Sequence, residues 1–339
     1  MSNVSSLLVI RRDNIGDLVC TTPLVTALRM LFPSAWIGVL ANSYNAPVLQ
    51  GNPDIDQVYA YRKLKHLGPG MSVVSALATR TSMLWALRRK NLDLAIVATG
   101  EQDRRGLRLA RLLSPDRIIN SPAYSPGLHE VERTFLVARG LGFDGPIPPL
   151  RVVPVEAPTS ETHAAMRRAE LPRLRPLIGV HLSARRLAQR WPPEHFAALI
   201  IALSTKHGAD TMLLWSPGKE DHLQHPGDDG KAATVMALIG DCARVIPYPT
   251  PTLTDLIGAL SICDALICSD GGAMHIAAGL GKPVACMFGD SPPERWRPWG
   301  VRHTLLHPES RNVRDIRVED VAQAGAGLVQ DWSAKPNMP

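Results

Sequence analysis

The chain reads as an α/β protein of two Rossmann-like domains, each a parallel sheet covered by helices. Three observations carry that expectation. Short apolar runs of strand length alternate with helical stretches along all 339 residues, the pattern of parallel sheets with crossover helices. The length suits two domains of ordinary size. A Pro-rich break, Asp144-Gly-Pro-Ile-Pro-Pro149 and then Val153-Pro154 to Pro158, divides the chain near its middle. The expected domains are residues 1–150 and 151–332, facing a cleft, with 333–339 as a disordered tail.

In the first half, Ser6-Leu-Leu-Val-Ile10 is an unbroken apolar run, as in a strand buried on both faces. Arg11-Arg-Asp-Asn-Ile-Gly-Asp17 follows, then a helix expected from about Leu18 to Leu31. Pro23 falls in its first turns, where a missing N–H is tolerated. Gly16 is the only glycine in this turn, so the Gly-x-Gly-x-x-Gly fingerprint of dinucleotide sites is absent. Gly16 permits a tight turn at the carboxyl end of the strand and throws Asp17 forward, where open sheets bind ligands. The plain alternative makes Asp17 a helix N-cap. Strands are expected at Ala35–Leu40 and Gln57–Tyr61, with a short helix starting over Ala46–Leu49 between them. Arg62-Lys-Leu-Lys-His-Leu-Gly-Pro-Gly70 is a basic loop. A helix over Ser72–Arg89 and a strand over Leu92–Ala98 come next. Arg104, Arg105, Arg108 and Arg111 then lie along one helix face. Such a stripe is usually solvated, though with Arg11, Arg12, Arg62, Lys63 and Lys65 it can surround one anionic ligand. Ile118-Ile119 as a strand and His129–Gly140 as a helix complete this half.

The second half opens with a short helix, Thr162–Ala169, and a strand, Arg175–Leu182. Ser183 to Arg190 is a basic loop, and Trp191-Pro-Pro-Glu194 opens a helix with Pro at its start. A strand, a cationic loop and a helix N-terminus together suit a diphosphate. Asp210–Trp215 and Ala243–Ile246 are strands, and Leu253–Ser261 is a helix. Ala265–Cys268 is a strand, Asp270-Gly-Gly272 a tight turn, Ala273–Leu280 a helix of small residues, and Val284–Phe288 a returning strand. A Gly-rich first turn leaves backbone N–H groups aimed at one spot, which fits a phosphate. Asp270 can accept from ligand hydroxyls or cap the helix, and His275 can reach the same ligand. An ordinary strand-to-helix turn is the plain alternative. Asp290–Trp299 is too rich in Pro and Trp for a helix interior and reads as a loop bordering the ligand through Glu294 or Trp296. Thr304–Leu306 is a last strand, and a terminal helix begins at Ile316.

Apolar residues make up 45% of the chain, a globular composition, and no apolar run reaches the length of about 18 residues that spans a bilayer. The first residues lack the basic region and cleavage site of a signal peptide. Five cysteines, odd in number and scattered, point to reduced thiols in a cytoplasm rather than disulfides or a zinc site. The whole formal charge of +6 falls in residues 1–150, which suggests an anionic partner for that half.

Ile15-Gly-Asp17, Arg190-Trp-Pro192, Asp270-Gly-Gly-Ala-Met-His275 and Phe288-Gly289 occur in this order across both halves. Together they resemble the motifs of the ADP-heptose:lipopolysaccharide heptosyltransferases, glycosyltransferase family 9. That family usually shows Asp-Thr/Ser-Gly-x-x-His at the last turn, and Gly271 stands here in the Thr/Ser place. It usually reads Lys-Arg-Trp-Pro before the helix, and Gln189 stands here in place of the Lys. The resemblance implies a GT-B fold, with the acceptor on the first domain and the nucleotide sugar on the second. It implies inverting displacement at the anomeric carbon of ADP-heptose, with Asp17 rather than Asp13 as base. The nucleotide sugar would be held by Ser183, Gln189, Arg190, Asp270, Gly271, Gly272, Ala273, Met274 and His275. Arg11, Arg12, Asn14, Gly16, Arg62, Lys63 and Lys65 would bind an anionic acceptor, a lipid A bearing Kdo or heptose. No cofactor is implied, because the ADP-sugar is a co-substrate, and no metal, because no Asp-x-Asp pair stands beside a phosphate loop. The implied setting is cytoplasmic, peripheral to the inner membrane, with no nucleic-acid partner and the oligomeric state left open.

Other classes make different demands. A Rossmann oxidoreductase needs the fingerprint this chain lacks. A nucleic-acid-binding protein would use the same basic face, but residues 62–111 offer few aromatics for it. A catalytically silent relative would bind the nucleotide sugar without turnover. A glycosyltransferase of another sugar, or of a small-molecule acceptor, would share every motif above.

Overall fold

Ser6–Ile10 (β1) is buried along its whole length because it forms the middle of a five-stranded parallel sheet. Its neighbours are Trp36–Asn42 (β2) on one side and Leu94–Val97 (β4) on the other. Gln57–Tyr61 (β3) and Arg117–Asn120 (β5) form the edges, giving the order β3-β2-β1-β4-β5. The computed structural model describes residues 4–61, 73–100, 103–124, 126–168, 174–220 and 227–333. It separates into two units, Met1–Val153 and Pro154–Pro339, each built on one sheet. Arg62, Lys63 and Lys65 lie outside the described residues, as does most of the expected tail.

The single helix expected over residues 18–31 is two, Ile15–Val19 (α1) and Thr22–Leu31 (α2). Pro23 has no N–H to give the Val19 carbonyl, and its ring crowds that oxygen. The Thr22 hydroxyl donates to it instead, at 2.7 Å. Val73–Arg88 (α3) and Arg104–Leu113 (α4) share a core with Leu8, Ile10, Leu40, Ala95 and Val97 through Leu87, Leu109 and Leu113. Asp103 caps α4, accepting from the backbone of Arg105 and Gly106, and its charge suits that end of the helix dipole. Glu130–Gly140 (α5) packs on α2.

The second sheet has six parallel strands, Leu177–His181 (β6), Asp210–Trp215 (β7), Val245–Pro249 (β8), Ala265–Ser269 (β9), Val284–Met287 (β10) and His303–Leu306 (β11). Their order is β11-β10-β9-β6-β7-β8. β8 runs through Pro247 and Pro249, beyond the expected end at Ile246, because an edge strand needs no donor on its outer side. Glu156–Arg168 (α6) starts six residues before the expected Thr162, with Pro158 in its first turn. It is followed by Pro193–His207 (α7), Asp229–Ile239 (α8), Leu253–Ile262 (α9) and Gly272–Gly279 (α10). The expected loop after β10 contains a single helical turn, Pro293–Trp296 (α11), with Pro at its start. Val318–Leu328 (α12) is the last helix of the described chain. Trp191, 1% exposed, anchors the start of α7 in the core, and its indole N–H donates to the Ile316 carbonyl at 3.2 Å.

All five cysteines are reduced thiols; Cys20, Cys263, Cys268 and Cys286 are buried, and Cys242 is exposed. Cys268 and Cys286 sit opposite each other on β9 and β10. No helix among the described residues is long and apolar enough to cross a membrane.

Strand order reverses direction between β1 and β4 in the first sheet, and between β6 and β9 in the second. Open α/β sheets bind ligands at the carboxyl ends of the strands at such points. The motif residues lie there.

Candidate functional site

At the first reversal point, β1 delivers Arg11 and β4 delivers Ala98. Arg11 is 1% exposed. Its Nη1 donates to the Ala98 carbonyl at 2.5 Å, and its Nη2 donates to Asp17 Oδ1 at 2.6 Å and to Glu130 Oε1 at 2.8 Å. Its Nε lies 3.2 Å from Asp13 Oδ2. Glu130, fully buried, also accepts from Arg133, Nη2 to Oε1 at 2.5 Å and Nε to Oε2 at 3.1 Å. Burial works against the Arg11 charge, but Asp17, Asp13 and Glu130 outweigh it, and the guanidinium pKa rises. Burial likewise pushes Glu130 up, yet the Arg133 hydrogen bond and the Arg11 charge bring it down to about 2. The network sets two guanidinium groups against three carboxylates.

Asp17 is 8% exposed. Its second oxygen accepts from the Asn14 backbone at 3.2 Å and from Asn14 Nδ2 at 2.9 Å. Three donors on a carboxylate with about four lone-pair directions leave one for a ligand. Asp13 is the more open carboxyl, with its side chain 31% exposed. Burial raises its pKa to about 6; Arg11 opposes this, while Asp17, Asp103 and Glu130 add like charge. Arg12 pairs with Asp103 at 3.0 Å and lies over the Tyr61 ring.

The structure thus gathers Arg11, Asn14 and Gly16 around Asp17 and ties Arg12 beside them. Arg11 and Asn14 face Asp17 as scaffold, so Arg11 is not a surface cation open to an acceptor. Glu130 and Arg133 were not singled out from the sequence. The signal was present as two opposite charges three apart among the inward positions Val131, Thr134 and Phe135.

At the second reversal point the loops after β6 and β9 meet. Gln189, 6% exposed, donates through Nε2 to Asp270 Oδ2 at 3.0 Å and to Ser291 Oγ at 2.9 Å. Burial raises the Asp270 pKa; Ser291, Arg186 and Gln189 oppose this, and Asp290 adds to it. Gly271, the N-cap of α10, has an extended backbone that any residue adopts. A Cβ there would meet only the Ser269 carbonyl, at 3.9 Å. With no side chain to cap it, α10 opens on the amides of Gly272, Ala273 and Met274, which have no partner within the helix. The side chains of Ala273, Met274 and His275 are buried, so these residues offer a ligand their backbone. The His275 ring meets Trp296 edge to face at 6.0 Å.

Gly289 is close-packed, since a Cβ there would collide with the Ala188 carbonyl. The turn holding Gln189 therefore leans on the exit of β10. Arg190 donates through Nε to the Ala184 carbonyl at 3.0 Å and reaches Glu220 at 3.4 Å. Ser183 Oγ accepts from the Ser216 backbone at 2.9 Å. Ser291, and Lys231, which donates to the Leu182 carbonyl at 3.1 Å, belong to this neighbourhood without having been legible as part of it.

Residues 96–324 match the family described as glycosyltransferase family 9 (heptosyltransferase). The chain is 24% identical over 311 residues to lipopolysaccharide heptosyltransferase 3 of Escherichia coli strain K12, covering 84% of this chain and 82% of that protein. Its structure is similar to that of a glycosyl transferase family 9 protein from Veillonella parvula DSM 2008. The TM-score is 0.83 at 19% identity, with 96% of this chain and 98% of that one covered. It is also similar to E. coli ADP-heptose lps heptosyltransferase II, with a TM-score of 0.74 at 20% identity and coverage of 97% and 100%. At these identities the structural likeness is one of fold, and it bears out the GT-B class.

Proposed function

The chain belongs to glycosyltransferase family 9, the heptosyltransferases, and from that premise we propose that it moves a heptose from ADP-heptose to an anionic lipopolysaccharide core acceptor. The observation that carries this reading is the start of α10. Open backbone amides stand there beside Asp270, whose carboxyl is oriented by Gln189. Such a place suits a sugar nucleotide, with the diphosphate on the amides and sugar hydroxyls on the carboxylate. Relatives named for heptose transfer, one of them for ADP-heptose, support this choice of donor.

In the proposed reaction Asp17 takes the proton of an acceptor hydroxyl as that oxygen bonds to the anomeric carbon. The bond from that carbon to the diphosphate breaks on the opposite side, and the configuration inverts. Charge growing on the leaving ADP meets the α10 amides and the Arg190 side chain. Arg11 and Asn14 keep Asp17 aimed, and the proton ends on its remaining lone pair. This chemistry calls on no metal ion.

The acceptor's charge fits the first unit. Arg80, Arg88, Arg89 and Lys90 of the α3 region and Arg104, Arg105, Arg108 and Arg111 of α4 are exposed. Trp85 is 62% exposed with Arg89 stacked on it at 4.4 Å. Cations around an amphipathic ring suit the surface of an anionic membrane.

Calorimetry with ADP, UDP, GDP and NAD, on the wild type and on Asp270→Ala, tests the donor site. ADP is expected to bind in the micromolar range and to lose affinity in the variant, while the others bind more weakly. A preference for UDP or GDP would leave the fold standing and remove the heptose donor. In a transfer assay, Asp17→Asn is expected to lose about 100-fold to 10,000-fold in turnover with ADP binding intact. Full turnover in that variant would move the base elsewhere. Gln189 favours a second reading, a protein that binds the sugar nucleotide without transferring it. Wild-type turnover separates the two.

A further inference from the structure

Lys231 is a cation in a costly place. It is the third residue of α8, where the helix dipole favours anions. Its ammonium lies 4.7 Å from the centroid of the buried Phe196 ring. Burial lowers its pKa to about 8; Asp228 and Glu220 oppose this, and Arg190 and Arg314 add to it. Burial, and after it the Lys231 charge, lower the pKa of His181 on β6 to about 4, against a backbone hydrogen bond with Ser183. A residue that breaks local rules in this way, at the ligand-binding end of a sheet, is expected to serve a site.

Its position is set by the sheet. The β6–β7 ladder is regular as far as the Leu182 amide, which donates to the Leu214 carbonyl at 2.9 Å. The next bond of a parallel ladder would run from the Ser216 amide to the Leu182 carbonyl. Instead Ser216 turns to Ser183 Oγ, and Lys231 Nζ takes the Leu182 carbonyl at 3.1 Å. Lys231 therefore fills the gap where the two strands part. β6 is also the direct neighbour of β9, whose exit carries Asp270. Asp228, 3% exposed, is hydrogen-bonded to the Ser183 side chain on the other flank. Meanwhile Gln189, at the end of the 183–190 loop, brings no charge and is bonded to Asp270 and Ser291.

We propose that Lys231 binds the diphosphate of the sugar nucleotide, supplying from α8 the ammonium that the 183–190 loop lacks. The proposal rests on the nucleotide site described above. Among the described residues the ammonium makes one hydrogen bond, to Leu182. An ammonium has three donors, so among the described residues two are left that can meet phosphate oxygens. The same diphosphate would draw on Arg190 and the α10 amides, so three elements of the unit would hold it.

The test is calorimetry of ADP and of adenosine on the wild type, Lys231→Met, Lys231→Arg and Asp270→Ala, with thermal melts confirming that each variant is folded. Lys231→Met is expected to weaken ADP by about tenfold to 100-fold, the worth of a charge-assisted contact, and to leave adenosine unchanged. Lys231→Arg should restore most of the loss. Wild-type ADP affinity should fall as pH rises from about 7 to about 9, as the ammonium loses its proton, and that fall should vanish in Lys231→Met. Equal weakening of ADP and adenosine would overturn the proposal in favour of a purely structural lysine. Unchanged ADP binding in Lys231→Met, with Asp270→Ala still weakened, would overturn it while leaving the nucleotide site in place. If Asp270→Ala also binds ADP like the wild type, the site itself fails and the proposal goes with it.

Discussion

Replacing Glu130 by Gln would leave Arg11 and Arg133 buried side by side with no anion between them. Removing one partner of a buried charged network costs about 3 to 5 kcal/mol, so Glu130→Gln should lower the urea midpoint markedly. The sign of the pH effect follows from the Glu130 pKa, which folding brings down from 4.5 to about 2. Stability from this group is complete above pH 4.5 and fades as the carboxylate protonates on the way down to about 2. Acid unfolding of the variant, followed over that window, should therefore be flatter than that of the wild type; an equally steep acid limb would show that the network adds nothing. The place of Asp17 at a sheet exit was legible because Gly16 and the strand before it mark one. Glu130 was not, because it lies 119 residues from Arg11 and only the fold brings them together.

At the scale of elements, strand positions were largely legible because buried parallel strands announce themselves as apolar runs. Helix ends were less so, since they answer to single contacts. Pro23 splits α1 from α2 through one carbonyl, and α6 gains six residues at its start because Pro158 is harmless there. The exit of β10 also answers to one contact. Gly289→Ala should push the Ala188 carbonyl and disturb the adjacent Gln189–Asp270 bond. The expected cost is about 1 to 3 kcal/mol, as for other overpacked sites, with weaker ADP binding and wild-type behaviour in the first unit. Calorimetric titration beside a thermal melt checks both, and unaltered ADP binding would uncouple that contact from the site.

For the whole molecule, the legible property was charge, because the excess in the first 150 residues needs no structure to count. What the sequence left open was how much of it stands on one surface. The arginines of α4 and the cations beside Trp85 are exposed, whereas Arg11 and Arg133 are consumed inside. Binding to vesicles containing anionic lipid should therefore fall steeply with added salt. It should weaken by at least about 30-fold in the double variant Arg108→Glu, Arg111→Glu, at about 1 kcal/mol for each arginine removed. Vesicle co-sedimentation checks this, and binding indifferent to both salt and these charges would assign the surface to plain solvation. The buried thiols have a use of their own. Cys20 reports on the first unit and Cys263, Cys268 and Cys286 on the second, while Cys242 is accessible from the start. A brief pulse of alkylating reagent, read by peptide mass, thus times the opening of each half separately in the unaltered chain, with no probe introduced.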